Sequence, residues 1–295
     1  MTAERKKWII WGSFLMLTLS WGSSFILIKR ALQGGFTAYE VASVRMMSAM
    51  VILIIPALFV VPKIPLRKYG FLAISAWLSM FLPAYLFSTA QVHIRESSLV
   101  SILNALTPAF TFIIGILLFR QPMRAMQALG LIVGFVGTSL LILVNSKGQF
   151  SLNAFALLVL IATMCYGTNV NLVKTRLSDI PSFHLTAITV AIAGLSSVFF
   201  LLWSGSFPHL IQNSFDHPWS FGAMFLLGAM GTALSQLVFN NMLQITTPVF
   251  ASAITYFIPI VALMWGLLDG ESLSSPQVLG MVLVIVGIYI LNKNK

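Results

Sequence analysis

Seven carboxylates, four histidines and one cysteine are all that 295 residues offer for acid–base, metal or thiol chemistry. A lone Cys165 excludes an internal disulfide framework and reads as a small packing residue. Of the acids, Glu4, Glu96, Asp179, Asp216, Asp269 and Glu271 fall in connections or at the ends of apolar runs, and Glu40 sits at a run boundary. None occupies the central third of a run, so no carboxylate is placed as a membrane-embedded proton carrier. His184 begins a run alone, His93 is in a connection, and His209 with His217 lacks the spacing of a zinc motif. With no nucleophile–base pair or metal cluster, no enzymatic activity, metal or cofactor is expected.

Charge of either sign is also scarce. Only 8% of residues are charged against 58% hydrophobic, and the mean hydropathy is +0.95, so the chain cannot cover a water-facing surface. Ten runs are long enough to cross a hydrocarbon core, each near the roughly 20 residues that a helical span needs. They lie near 8–28, 38–61, 69–91, 97–119, 124–144, 152–173, 182–203, 219–240, 248–268 and 275–291. The runs are continuously apolar rather than alternating, which excludes a strand barrel and predicts an all-α membrane protein. The connections are short, and 204–218, with His209, Asp216 and His217, is expected to be a surface loop. Arg5-Lys6-Lys7 before the first run resembles a signal peptide, but no small-residue cleavage site follows, and the run is expected to stay as the first helix.

Alternate sides of ten spans carry unequal numbers of Lys and Arg. One side has Arg5, Lys6, Lys7, Lys63, Arg67, Lys68, Arg120, Arg124, Lys174, Arg176, Lys293 and Lys295; the other has Lys29, Arg30, Arg95 and Lys147. The richer side is expected to be cytoplasmic, with both termini, in a multi-pass protein of the cell inner membrane. The net charge of +10 is then a topology signal. Basic residues scattered over loops point to anionic lipid as a partner and to no nucleic acid.

The sequence also repeats itself. Residues 20–32, Ser-Trp-Gly-Ser-Ser-Phe-Ile-Leu-Ile-Lys-Arg-Ala-Leu, match 165–177, Cys-Tyr-Gly-Thr-Asn-Val-Asn-Leu-Val-Lys-Thr-Arg-Leu, placing Gly22 on Gly167 and Lys29 on Lys174. Pro108 matches Pro259, Gln127 with Gly130 matches Gln277 with Gly280, and Gly137 matches Gly287. The chain therefore divides into halves at 1–146 and 147–295, five spans each. An odd number of spans between equivalents inverts the second half, and a pseudo-two-fold axis is expected in the membrane plane.

Trp21-Gly22-Ser23-Ser24-Phe25, Arg45, Leu106-Thr107-Pro108, Ile258-Pro259, and Gly266 to Glu271 with Gln277 and Gly280 together resemble the drug/metabolite transporter superfamily, EamA branch, over essentially the entire length. The resemblance implies a basket in which the first, third, fourth, sixth, eighth and ninth helices line a central cavity. It also implies an acid late in each half, yet the position matching Glu271 is Arg120. The fifth and tenth runs, poor in polar groups but carrying Gly130, Gly134, Gly137, Gly280 and Gly287, suit close helix packing instead.

Hydrogen-bonding side chains concentrate on the helices that the resemblance places inside. Candidates for the cavity wall are Trp21, Ser24, Arg45, Tyr85, Asn104, Tyr166, Asn169, Gln236, Asn240 and Tyr256. Asn169 and Asn171 are two apart and cannot share a helix face, so one alone is expected to reach the path. Pro108 and Pro259 each remove a mid-helix hydrogen bond and mark a site and hinge. Arg45 lies roughly 10 Å below a boundary by helical rise and must face the cavity or a partner. Lys29 and Lys174 end their helices on opposite sides, where they either snorkel to headgroups or guard the two mouths.

The resulting expectation is a transporter of small amphipathic metabolites, exporting amino acids or related compounds by alternating access, with export inherited from the resemblance. Two alternatives stay open: export of cationic or aromatic drug-like compounds by proton antiport, and a membrane scaffold or receptor without transport. The sequence leaves oligomeric state open, and a monomer suffices.

Overall fold

The computed structural model describes residues 3–94, 96–119, 125–144, 148–149, 153–271 and 273–292. Arg95, Arg120, Arg124, Lys147, Lys293 and Lys295, the side chains of Arg5, Lys6 and Lys7, and the junction at 146 and 147 lie outside them. The described residues form helices and short connections, with no β-sheet among them. In chain order they are α1 (Ala3–Gln33), α2 (Ala38–Val60), α3 (Leu66–His93), α4 (Ser97–Leu118), α5 (Ala125–Leu143), α6 (Ala156–Arg176), α7 (Ser182–Trp203), α8 (Phe207–Asp216), α9 (Pro218–Ile245), α10 (Phe250–Leu268) and α11 (Ser275–Asn292). Eight of these are long and apolar enough to cross a membrane: α1 to α4, α6, α7, α9 and α10.

The expected loop at 204–218 is largely the helix α8. Phe207, Leu210, Ile211 and Phe215 recur at helical spacing and Pro208 sits in the first turn, where its missing N–H costs nothing. Leu210 is buried. Asn213 Nδ2 donates to Gly34 O at 3.0 Å, and His209 Nδ1 lies 2.7 Å from Oε1 of Glu40, whose side chain is fully buried. Gly35, at φ 82°, makes the left-handed turn that brings α2 back beside α1. Thr37 and Glu40 then close the start of α2 with a reciprocal capping box.

Four helices are interrupted near mid-span, in two matched pairs. In α3 the helix widens to a π turn at Trp77–Phe81, and in α9 at Ala229–Leu234. In α4 the helix breaks after Asn104 and restarts at Thr107; in α10 a 3₁₀ turn, Ala253–Tyr256, precedes a restart at Ile258. Pro108 and Pro259 therefore occupy the first turns of new segments rather than kinks in continuous helices. That placement follows from the ring, which tolerates a first turn and clashes with a preceding one. Thr107 Oγ1 donates to Asn104 O at 2.7 Å, capping the carbonyl that Pro108 leaves without its helical donor.

The helices α5 and α11 meet backbone to backbone. A Cβ on Gly137 would fall 2.6 Å from Gly280 O, and one on Gly287 would fall 2.6 Å from Gly130 O. The register runs antiparallel and is reciprocal, since Gly130 and Gly137 are the sequence equivalents of Gly280 and Gly287. Small residues allow this approach where lipid supplies no hydrophobic drive.

Candidate functional site

The interruptions surround one internal cavity holding about 870 Å³ of atom-free space, its open mouth included. From α1 come Trp21, Ser24, Phe25 and Ile28, from α3 Ser79, Met80 and Phe87, and from α4 Asn104 and Thr107. Tyr166, Asn169 and Val170 enter from α6, Gly231, Thr232, Gln236 and Phe239 from α9, and Ser252, Thr255 and Ile258 from α10. These are the six helices that the family resemblance placed inside. A seventh joins them, because Arg45 and Met46 of α2 also reach the cavity. Gly228 permits this: a Cβ there would fall 2.6 Å from Ser48 Cβ, so its absence lets α9 close onto α2.

The π turn of α9 explains how Arg45 is held. A widened turn shifts the backbone bonds to i→i+5 spacing, as where Ser235 N–H donates to Met230 O, and side chains add to them. Trp21 Nε1 donates to Gly231 O at 3.0 Å, while Ser235 Oγ and Ser20 Oγ donate to Met230 O at 2.7 and 3.2 Å. The same turn presents Thr232, whose hydroxyl accepts from Arg45 Nε at 2.9 Å. Arg45 is half-buried and, among the described residues, forms no ion pair. Among the described residues, none that lines the cavity is an acid.

Aromatic rings supply the apolar surface. Trp21 packs on Phe239 with centroids 5.3 Å apart, Phe25 on Phe87 at 5.7 Å, and Phe87 on Tyr166 at 6.0 Å. Asn169 is fixed by Ser75, which donates to its Oδ1 at 2.7 Å and leaves the amide N–H groups for the cavity. Asn171 points away and donates to Thr111 O and Gly167 O at 2.8 and 3.0 Å. A Cβ on Gly167 would lie 2.7 Å from Thr111 N, so this glycine lets α6 lie directly against α4.

Seven of the ten expected wall residues thus converge: Trp21, Ser24, Arg45, Asn104, Tyr166, Asn169 and Gln236. Tyr85 does not. Its hydroxyl bonds Ser43 Oγ at 2.8 Å and its ring packs on Phe81 and Phe200 at 4.8 and 4.9 Å, in a cluster completed by Tyr39. Asn240 is buried between helices, with Nδ2 donating to Thr186 Oγ1 at 2.9 Å. Tyr256, in the 3₁₀ turn of α10, packs against the main core rather than lining the cavity. In each case helix rotation decided the direction, which residue type alone does not encode. Thr232 and Gly231 were missed because no residue in Ala229–Leu234 announces a π turn.

The two lysines end differently from one another. Lys174 Nζ donates to Leu243 O and Thr246 O at 3.1 and 2.7 Å, capping the carbonyl end of α9. Lys29 Nζ lies 2.6 Å from Asp269 Oδ2 and 2.8 Å from Glu271 Oε1, and Arg30 also pairs with Asp269. Glu271 further accepts from the Ser97 and Ser98 hydroxyls at 2.8 and 2.7 Å and from both of their backbone N–H groups. It therefore sits at the N-terminus of α4, where the helix dipole favours an anion. Gly266 leaves room, since a Cβ there would lie 2.5 Å from Glu271 Oε2.

Comparison with known proteins agrees with this architecture. The EamA-like transporter family matches the chain twice, over residues 6–143 and 153–293, and the chain belongs to that family. Over 289 residues it is 22% identical to the uncharacterized inner membrane transporter YedA of Escherichia coli strain K12, covering 97% of this chain and 91% of that protein. The YedA proteins of strains O6:H1 and O157:H7 align to the same extent. A solved structure described as "Crystal structure of protein" superposes with a TM-score of 0.65 at 12% identity, covering 99% of this chain and 98% of the other, which shows a shared fold.

Proposed function

With family membership as the premise, we propose that the chain is an inner-membrane carrier of small amphipathic metabolites, exporting amino acids or related compounds. The observation that carries this is the cavity, whose described residues set amide, hydroxyl and aromatic groups around the cation Arg45, at the level where four helices are interrupted. A site of this kind suits a solute with one polar end and one apolar body.

The transport cycle in this reading is alternating access of two inverted halves, 1–146 and 147–295, with both termini cytoplasmic. The reciprocal contact of Gly137 with Gly280 and Gly287 with Gly130 supports a two-fold axis perpendicular to α5 and α11. The restarts at Pro108 and Pro259 are hinges, and Lys29 and Lys174 guard the two mouths. A monomer is sufficient for this cycle, and nothing in it requires a cofactor or catalysis. The test is counterflow by the purified full chain in liposomes, using labelled amino acids, amines and nucleosides. Accelerated exchange of an amino acid is expected, and no flux of any class would leave the scaffold reading in its place.

The second reading, a proton-antiport exporter of cationic or aromatic drug-like compounds, draws on the aromatic walls. The wall's charge disfavours its cationic form, because the described wall offers a cation and no carboxylate to meet another cation.

A further inference from the structure

Resting on the carrier reading, we propose that the cavity is a monocarboxylate site in which Arg45 reads the acid group, so that a deaminated or N-acylated acid binds more tightly than the parent amino acid. Three observations lead there. Arg45 brings one positive charge to a wall with no Asp, Glu or His, and among the described residues no acid pairs with it. An unpaired charge below the membrane surface is costly, and a carboxylate arriving with the solute compensates it. A zwitterion brings a second cation as well, leaving the filled cavity as positive as the empty one.

Geometry prepares the arginine for that role. Nε is committed to Thr232 on the π turn, which fixes the guanidinium plane and leaves the terminal N–H groups for a paired, fork-like contact with a carboxylate. Lysine, a point charge without the fork, would keep the attraction and lose the geometry.

The rest of the wall does little for an ammonium group. Ser24, Ser79, Thr107 and Thr255 each donate their hydroxyl to a carbonyl of their own helix, Ser20 O, Ser75 O, Asn104 O and Ser252 O. They offer lone pairs but no charge, and the aromatic faces add only a weak cation–π attraction. For a solute of fixed skeleton the order is therefore acid first, zwitterion second, amine last. Because Arg45 and Thr232 stand on α2 and α9, the same carboxylate also ties together two helices whose contact is made at Gly228.

The experiment uses the full chain and four probes sharing one skeleton: 4-methyl-2-oxopentanoate, leucine, leucine methyl ester and isoamylamine. Binding is ranked by thermal shift and calorimetry, and flux is measured in liposomes alongside. The expected result is an oxo acid Kd at least tenfold below that of leucine, with the ester and amine weaker still. Arg45→Gln should collapse the ratio toward one, Arg45→Lys should keep its sign with a smaller ratio, and Thr232→Val should weaken the acid several-fold without reversing the order. Leucine, ester or amine binding as tightly as the oxo acid, or an undiminished preference in Arg45→Gln, overturns the proposal. If Arg45→Gln does not fold, the ranking in the native chain and in Thr232→Val decides. Flux without an acid preference sinks this inference and keeps the carrier, whereas an acid preference without any flux does the reverse.

Discussion

Lys29 and Glu271, 242 residues apart, meet at 2.8 Å where the end of α1 touches the connection between α10 and α11. Their side chains are 16% and 5% exposed, so this lysine does not snorkel to headgroups but joins a buried cluster that ties three helices. The same carboxylate serves the N-terminus of α4 through Ser97 and Ser98. Anything that widens this end of the molecule has to break those contacts together.

Removing the acid should therefore cost more than removing its charge. Glu271→Ala leaves Lys29 with Asp269 alone and strips the hydrogen bonds at the start of α4, for an expected loss of about 1–3 kcal/mol, the cost of leaving buried donors unsatisfied. Glu271→Gln retains hydrogen bonding and should lose less. Thermal unfolding in detergent reads the difference; equal losses would show that charge alone matters.

Acid should act on the same contact. Burial works against the Glu271 carboxylate, but hydrogen bonds from Lys29, Ser98 and Ser97 prevail and hold it below the usual range. A group whose folded pKa is depressed gives stability above its unfolded value and loses it as pH falls through the folded one. Tm should then drop as pH falls below about 4.3, the ordinary glutamate value, and Glu271→Gln should flatten that drop. Asp179, lowered by Lys68 at the surface, titrates in the same direction but is exposed and is expected to add little.

Gly137→Leu should destabilise the α5–α11 pair by about 1–3 kcal/mol, the range for overpacking, because its Cβ alone would meet Gly280 O. Gly12→Leu is the control, since no atom lies within 4 Å of a Cβ there. Comparable losses at both sites would remove the significance of the glycine contact.

Asn169 and Asn171 should differ in their effect on binding. Asn169→Ala is expected to weaken solute binding, as its amide N–H groups face the cavity, and also to lower stability by removing the contact with Ser75 between α3 and α6. Asn171→Ala should lower stability by about 0.6–2 kcal/mol, the worth of an interhelical polar contact in a membrane, and leave the Kd alone. The opposite pattern would mean that the two faces of α6 have been exchanged.

Pro108→Ala and Pro259→Ala should slow exchange while leaving Kd near its native value, since each lets the helix continue through the break. A changed Kd with unchanged exchange would make the breaks part of the wall and not of the hinge.

Much of this was legible before any coordinate. The apolar runs, the proline breaks, the glycine stripes and the separation of Asn169 from Asn171 onto different faces follow from period and residue type, because lipid forces helices and a helix fixes which side chains share a face. The helical character of α8 was missed, although Phe207, Leu210 and Phe215 carry the period; its polar residues and Pro208 read as a turn. Tyr85 and Asn240 were placed by residue type in the cavity, yet their hydrogen bonds to Ser43 and Thr186 are contacts between helices.

The sequence by itself determined that the chain is a helical membrane protein, that residues 20–32 recur in similar form at 165–177, and that one cationic residue, Arg45, lies two turns into an apolar run with no acid at comparable depth. Only the tertiary structure decided that Thr232 on a π turn holds that arginine, that Glu271 folds back onto Lys29 and α4, and that α2 joins the wall. The reason is physical: hydropathy and period act along one helix and can be read residue by residue. Helix rotation and the meeting of groups hundreds of residues apart arise only when several faces compete for the same interior.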